Sequence, residues 1–251
     1  MGVQSFPEME PWRAQKPAPK TRNADPVFDG RAVLYALGGI AASVVAARTA
    51  SWTMRQLDIP LALYLVTFWT VIFSGLWLTC RYVSIRFGTG NPWRDFGFSW
   101  RPSDLWRGLL GYLVAIALTT FARSPWAGRT YRLHRMVTGF SHVSWPAFAV
   151  FAISAIVAAP IFEELAFRGM LQRTLAGRTS QGLATVGQAA AFAAYHLFPG
   201  LGWENIPYAL GLFCFGVTMG WLARRLGRLG AGCTAHVINN TLSVLVTAGR
   251  R

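Results

Sequence analysis

Acidic side chains are scarce in most of this 251-residue chain: beyond Asp104 there are three, Glu163, Glu164 and Glu204. Lysine is scarcer, with Lys16 and Lys20 the whole complement among 24 basic residues. The three cysteines, Cys80, Cys214 and Cys233, lie in or at the ends of apolar segments with no paired spacing. That spacing argues against a disulfide framework or a cysteine metal site and leaves them as packing residues. There is no HExxH and no internal repeat. The first apolar run begins past residue 30, which does not fit a cleavable signal peptide.

What the chain has in quantity is apolar surface. Hydrophobic residues make up 53% of it, including 11 Trp and 17 Phe, and they come in blocks. The net charge is +14, but the basic residues sit in short clusters between those blocks. A nucleic-acid binder gathers them on one soluble face, so no nucleic-acid partner is expected. Seven apolar segments fall at about 32–50, 60–80, 105–122, 145–172, 180–198, 206–223 and 231–248. Most reach the ~20 residues that cross a ~30 Å hydrocarbon core. Arg48 cuts the first one short.

The expected fold is therefore all-α: a polytopic transmembrane helical bundle of about seven helices around a polar intramembrane cavity. An eighth would form if the 123–144 connection adds an interfacial helix or a further crossing. Residues 1–30, Pro-rich and mixed in charge, read as a disordered cytoplasmic tail, and 31–251 as one transmembrane domain. Pro60 should open one helix, Ser103-Asp104 should cap the next, and Gly227, Gly230 and Gly232 should break the last link. With the N-terminus inside, 16 basic residues fall in inner segments and 8 in outer ones. That bias points to a cytoplasmic N-terminus. Arg-rich, Lys-poor composition suggests a bacterial source and hence a bacterial plasma membrane.

Against this background "PIFEELAFRGMLQ", residues 160–172, places two adjacent glutamates in an apolar helix. An ionisable side chain there costs a few kcal/mol and signals function by default. Arg168 follows Glu164 by four residues on the same helical face, which suggests a structural pair. Glu163 points about 100° away and is left to face a cavity as a base. A solvated helix end would carry the same glutamates at little cost. The next feature is "FAAYHLF", with His196 four residues after Phe192. Such a histidine is commonly a packing residue, and Phe192 is commonly core. If segments four and five form a hairpin turning at 176–180, however, Glu163 and His196 lie within roughly 6 Å of the same depth. A carboxylate and an imidazole could then share one water. In "HVINN", His236 and Asn240 stand one turn apart on one face, suited either to stabilising an oxyanion or to bonding between helices. Asn239 reads as structural. His134 and His142 read as interfacial, and Glu204 as a surface residue of an outer loop.

These three motifs together, Glu163-Glu164-xxx-Arg168, Phe192-xxx-His196 and His236-xxx-Asn240, resemble those of the CPBP family. That family comprises CAAX-protease and bacteriocin-processing (Abi) intramembrane proteases, including the Ras-converting CAAX endopeptidase. The resemblance spans about 145–245, the expected catalytic motif core, while "FGFSW" in the preceding linker adds little. It implies an intramembrane endopeptidase in which Glu163 activates water with His196 as its partner. His236 and Asn240 then stabilise the oxyanion, and Glu164 and Arg168 support the helix. If a zinc ion binds, Glu163, His196 and His236 are its candidate ligands, but general base catalysis on a metal-free water accounts for the same residues. The implied partners are the lipid bilayer and a membrane-embedded or membrane-proximal peptide substrate. In a bacterium a leader, a bacteriocin or a signalling protein fits better than a prenylated CAAX protein. The alternative is a non-enzymatic immunity or regulatory protein on the same fold. A proton-coupled transporter would need inverted repeats that the chain lacks.

Overall fold

A computed structural model describes residues 28–57, 59–129 and 143–249. The expectations for most of the 1–30 tail, and for His134 and His142, fall outside the described residues. Among those residues the regular structure is wholly helical, with eight helices and no strand.

Helix α1 (Gly30–Gln56) starts where Asp29 accepts from the backbone N–H groups of Arg31 and Ala32, at 2.9 and 3.2 Å. Phe28 just before it is buried and stacks on Phe96. Phe28 and Asp29 therefore already take part in packing and capping. The helix also runs past Arg48, whose guanidinium reaches the backbone carbonyl of Leu197. With that partner a cation need not end the helix. The buried face of α1 is small, with Ala32, Ala36, Ser43 and Ala47, and it packs along α2 (Leu61–Phe87). Gly39 abuts Thr79 and Gly75 abuts Ser43, the small-residue approach that membrane helices use.

After the short α3 (Pro92–Asp95) comes α4 (Ser103–Arg123). Of the Ser103-Asp104 pair expected to cap it, Asp104 is the residue that closes the end. Asp104 accepts from the backbone N–H of Arg101 at 2.9 Å and holds Arg228 through two bonds of 2.7 and 2.9 Å. One continuous helix, α5 (Trp145–Ala176), carries the glutamates. Then follow α6 (Gln181–Tyr195), α7 (Asn205–Leu226), ended by left-handed Gly227, and α8 (Gly230–Ala248). Each of the seven apolar segments thus corresponds to a helix.

Five of these helices, α1, α2, α4, α5 and α7, are long and apolar enough to cross a membrane. Their outward faces carry large apolar side chains such as Leu34, Leu78, Leu113 and Phe121. This is an integral membrane protein. Besides the short α3, the two helices that fall short carry His236 and Asn240 on α8 and lead into His196 at the end of α6. With 15 residues, α6 spans about 22 Å, less than a hydrocarbon core. Glu204, expected on the surface, is buried instead. It closes the compact turn Pro199–Glu204 directly before α7, where a helix N-terminus favours an anion.

Candidate active site

The glutamate helix is not α-helical throughout. It widens into π-helix at Ser154–Ala158 and again at Glu164–Leu171. The cause of the first is Pro160, which has no N–H to give. In the π register of this stretch the N–H of Ala159 reaches the carbonyl of Ser154. The carbonyl of Ala155 would need residue 160, and proline leaves it without a donor. Asn240 of α8 supplies one, its Nδ2 donating to Ala155 O at 2.7 Å. Asn239 in turn donates to Asn240 Oδ1 at 3.0 Å. One amide hydrogen of Asn240 is thus committed to binding α8 against α5.

The second π segment carries Glu164 and Arg168, both fully buried and 3.0 Å apart, as the spacing predicts. The approach is close but off-axis, so it is an ion pair rather than an aligned hydrogen bond. Arg168 also lies over Phe192, with its guanidinium carbon 4.1 Å from the ring centroid. Phe192 is core, as expected, and it also supports the site. Its centroid lies 4.6 Å from that of His196 and 6.2 Å from that of His236.

Glu163 sits among the imidazoles. Its Oε2 is 3.8 Å from Nε2 of His196 and 3.8 Å from Nε2 of His236. Both contacts are too long for direct hydrogen bonds and the right order for a shared bridging group. The sequence puts His196 inside an apolar segment. In the structure α6 stops at Tyr195, and His196 caps it with about a fifth of its side chain exposed. Glu163 and His236 are nearly enclosed. His236, early in its helix, reaches Glu163 because the start of α8 is itself buried. Gly230, Ala231 and Gly232 are buried, and a side chain at Gly232 would stand 2.7 Å from Glu164 Oε2.

Reading the sequence alone missed a second contact of His236. Its Nδ1 lies 3.2 Å from Glu164 Oε1. A carboxylate paired with Arg168 can only accept, so Nδ1 carries the hydrogen and Nε2 presents a lone pair. His196 is fixed the same way, its Nδ1 donating to the carbonyl of Phe192 at 2.9 Å. Both neutral imidazoles therefore turn acceptor nitrogens toward an acceptor carboxylate. The cluster calls for a donor, and a water or a proton on one of its members meets that need.

Two imidazoles and a carboxylate are also zinc chemistry. Among the described residues, however, no three His, Cys, Asp or Glu side chains are grouped closely enough to hold a metal ion.

The "FGFSW" linker does more than its sequence suggests. Gly97 and Ser99 accept from the backbone N–H groups of Leu229 and Gly230 at 3.1 Å each, seating the start of α8. Buried Phe96 fills the space left by Gly169 on α5. A cavity of about 360 Å³ opens between α2 and α5, lined by Trp69, Phe73, Ser154 and Phe162 among others. Phe162 immediately precedes Glu163.

Residues 144–242 match the family model described as Rce1-like, type II CAAX prenyl endopeptidase Rce1-like. Neither a curated protein nor a solved structure gives a significant match to the chain.

Proposed function

With residues 144–242 belonging to the CAAX-protease family, we propose that this membrane protease hydrolyses its substrate by a water activated at Glu163. The observation that carries the reading is the equal 3.8 Å approach of both imidazole Nε2 atoms to Glu163 Oε2. A water held there gives one hydrogen to the carboxylate and the other to an imidazole. Its oxygen attacks the peptide carbonyl carbon, and the proton passes to Glu163. The developing oxyanion needs donors. The second amide hydrogen of Asn240 is one, and His236 becomes another when the proton taken up by Glu163 is shared onto its Nε2, to return through Glu163 afterwards. Glu164 behind Nδ1 stabilises that imidazolium, as a buried carboxylate does in a Ser-His-Asp triad. Proton return from Glu163 to the leaving nitrogen breaks the C–N bond and restores the site.

The substrate is a membrane-embedded or membrane-proximal peptide. The apolar cavity between α2 and α5 gives such a segment a path to the residue before Glu163. The test is cleavage of a membrane peptide by the purified protein beside Glu163→Ala and His196→Ala. Each variant should lose about 10²–10⁴-fold in rate, the usual contribution of a general base. Two variants that cleave as fast as the parent would refute the assignment.

A further inference from the structure

Helices α4 and α7 run antiparallel along a shared seam. Gly111 of α4 seats against Leu222 of α7, and Gly108 seats against Ala231 and Thr234 of α8. One turn from these contacts toward the same end of the bundle lie Arg107 on α4 and Arg225 on α7. They stand at one depth, near the helix ends. Each is braced on an exposed indole. The guanidinium of Arg107 lies 5.2 Å from the Trp106 ring centroid, and that of Arg225 lies 5.5 Å from Trp221. Arg101 and Arg224, both exposed, flank them. The acidic group at this seam, Asp104, is buried and already held by Arg228. Among the described residues, none of the four arginines forms an ion pair with a carboxylate.

We infer that the α4–α7 seam is a binding site for the phosphate headgroup of an anionic phospholipid in the leaflet it faces. Three features favour a lipid over a merely solvated face. The arginines lie where helix ends meet headgroups, and the tryptophans have the amphipathic chemistry of that layer. Guanidinium groups resting on indole faces are partly ordered before binding, so less freedom is lost when they engage phosphate. The exposed apolar flank of α4 beneath them, Leu113 for example, suits acyl chains. The site is separate from the Glu163 cluster and does not depend on what that cluster does.

The experiment reconstitutes the whole protein in phosphatidylcholine vesicles containing a trace of spin-labelled lipid. Electron spin resonance then measures the motionally restricted fraction. Spin-labelled phosphatidylglycerol should be restricted more than spin-labelled phosphatidylcholine. At low salt the preference should fall by up to about five-fold for each arginine removed in Arg107→Gln and Arg225→Gln. In the unaltered protein it should weaken at 0.5 M NaCl, a readout that needs no variant. Equal restriction of the two lipids, or a preference unmoved by salt or by the double substitution, would overturn the site. So would an equal loss in Arg55→Gln, at the other end of the bundle. Release of the labelled lipid by inorganic phosphate beyond the effect of ionic strength would make this a free-anion site instead.

Discussion

Glu163 and Glu164 share a helix turn and little else. Glu164 is spent on two neighbours, Arg168 at 3.0 Å and His236 Nδ1 at 3.2 Å. Glu163 is within reach of both Nε2 atoms. This division separates stability from activity. Removing one member of a buried ion pair strands the other and costs about 3–5 kcal/mol, whereas removing both is often close to neutral. Arg168→Met alone should therefore lower the thermal midpoint in detergent more than Glu164→Gln with Arg168→Met. The double variant should still cleave poorly, because the neutral amide replacing the Glu164 carboxylate gives His236 a weaker and less directional anchor. A double variant as unstable as the single one would show that the pair is not the source of the cost.

At the scale of elements, the π segments of α5 set the site. The orphan carbonyl of Ala155 couples Pro160 to Asn240 across two helices. Loss of a partner for a buried polar group costs about 1–3 kcal/mol, so Asn240→Ala should unfold at lower temperature than the parent. Pro160→Ala restores the missing N–H and should recover part of that loss in the double variant. Strict additivity of the two substitutions would contradict the coupling. Here the limits of the sequence are also clearest. The Glu164–Arg168 pair and the Glu163–His196 meeting were legible, since helical spacing and distance from a hairpin turn are local quantities. The break before α8 was legible from Gly227, whereas Gly230 and Gly232, expected in the same break, lie inside the helix. That α8 starts deep enough to bring His236 onto Glu164 was not legible, because it depends on Gly232 and on hydrogen bonds to Gly97 and Ser99 far away in sequence. The π register left one signal, a proline inside an apolar helix. Burial of Glu204 left none.

For the whole molecule, the helix ends sort the charge. The end that gathers Arg94, Arg101, Arg178 and Arg224 is richer in arginine than the end holding Arg48, Arg55 and Arg123. From the positive-inside rule we propose that the first end is cytoplasmic. In intact cells, with the native cysteines replaced, a membrane-impermeant maleimide should therefore modify Arg55→Cys and spare Arg94→Cys. The reverse pattern would invert the orientation. With that orientation the α4–α7 arginines would face the cytoplasmic leaflet, while the Glu163 cluster lies within the bundle.

The central claim is that Glu163 activates water without a metal. The most direct test is single-turnover cleavage of one membrane peptide by chelator-stripped protein, run beside Glu163→Gln with metal content measured in both. The account predicts that the stripped parent keeps its rate and that Glu163→Gln falls about 10²–10⁴-fold. Loss of the parent's activity on stripping and its return with zinc, or a Glu163→Gln rate equal to the parent's, would contradict it.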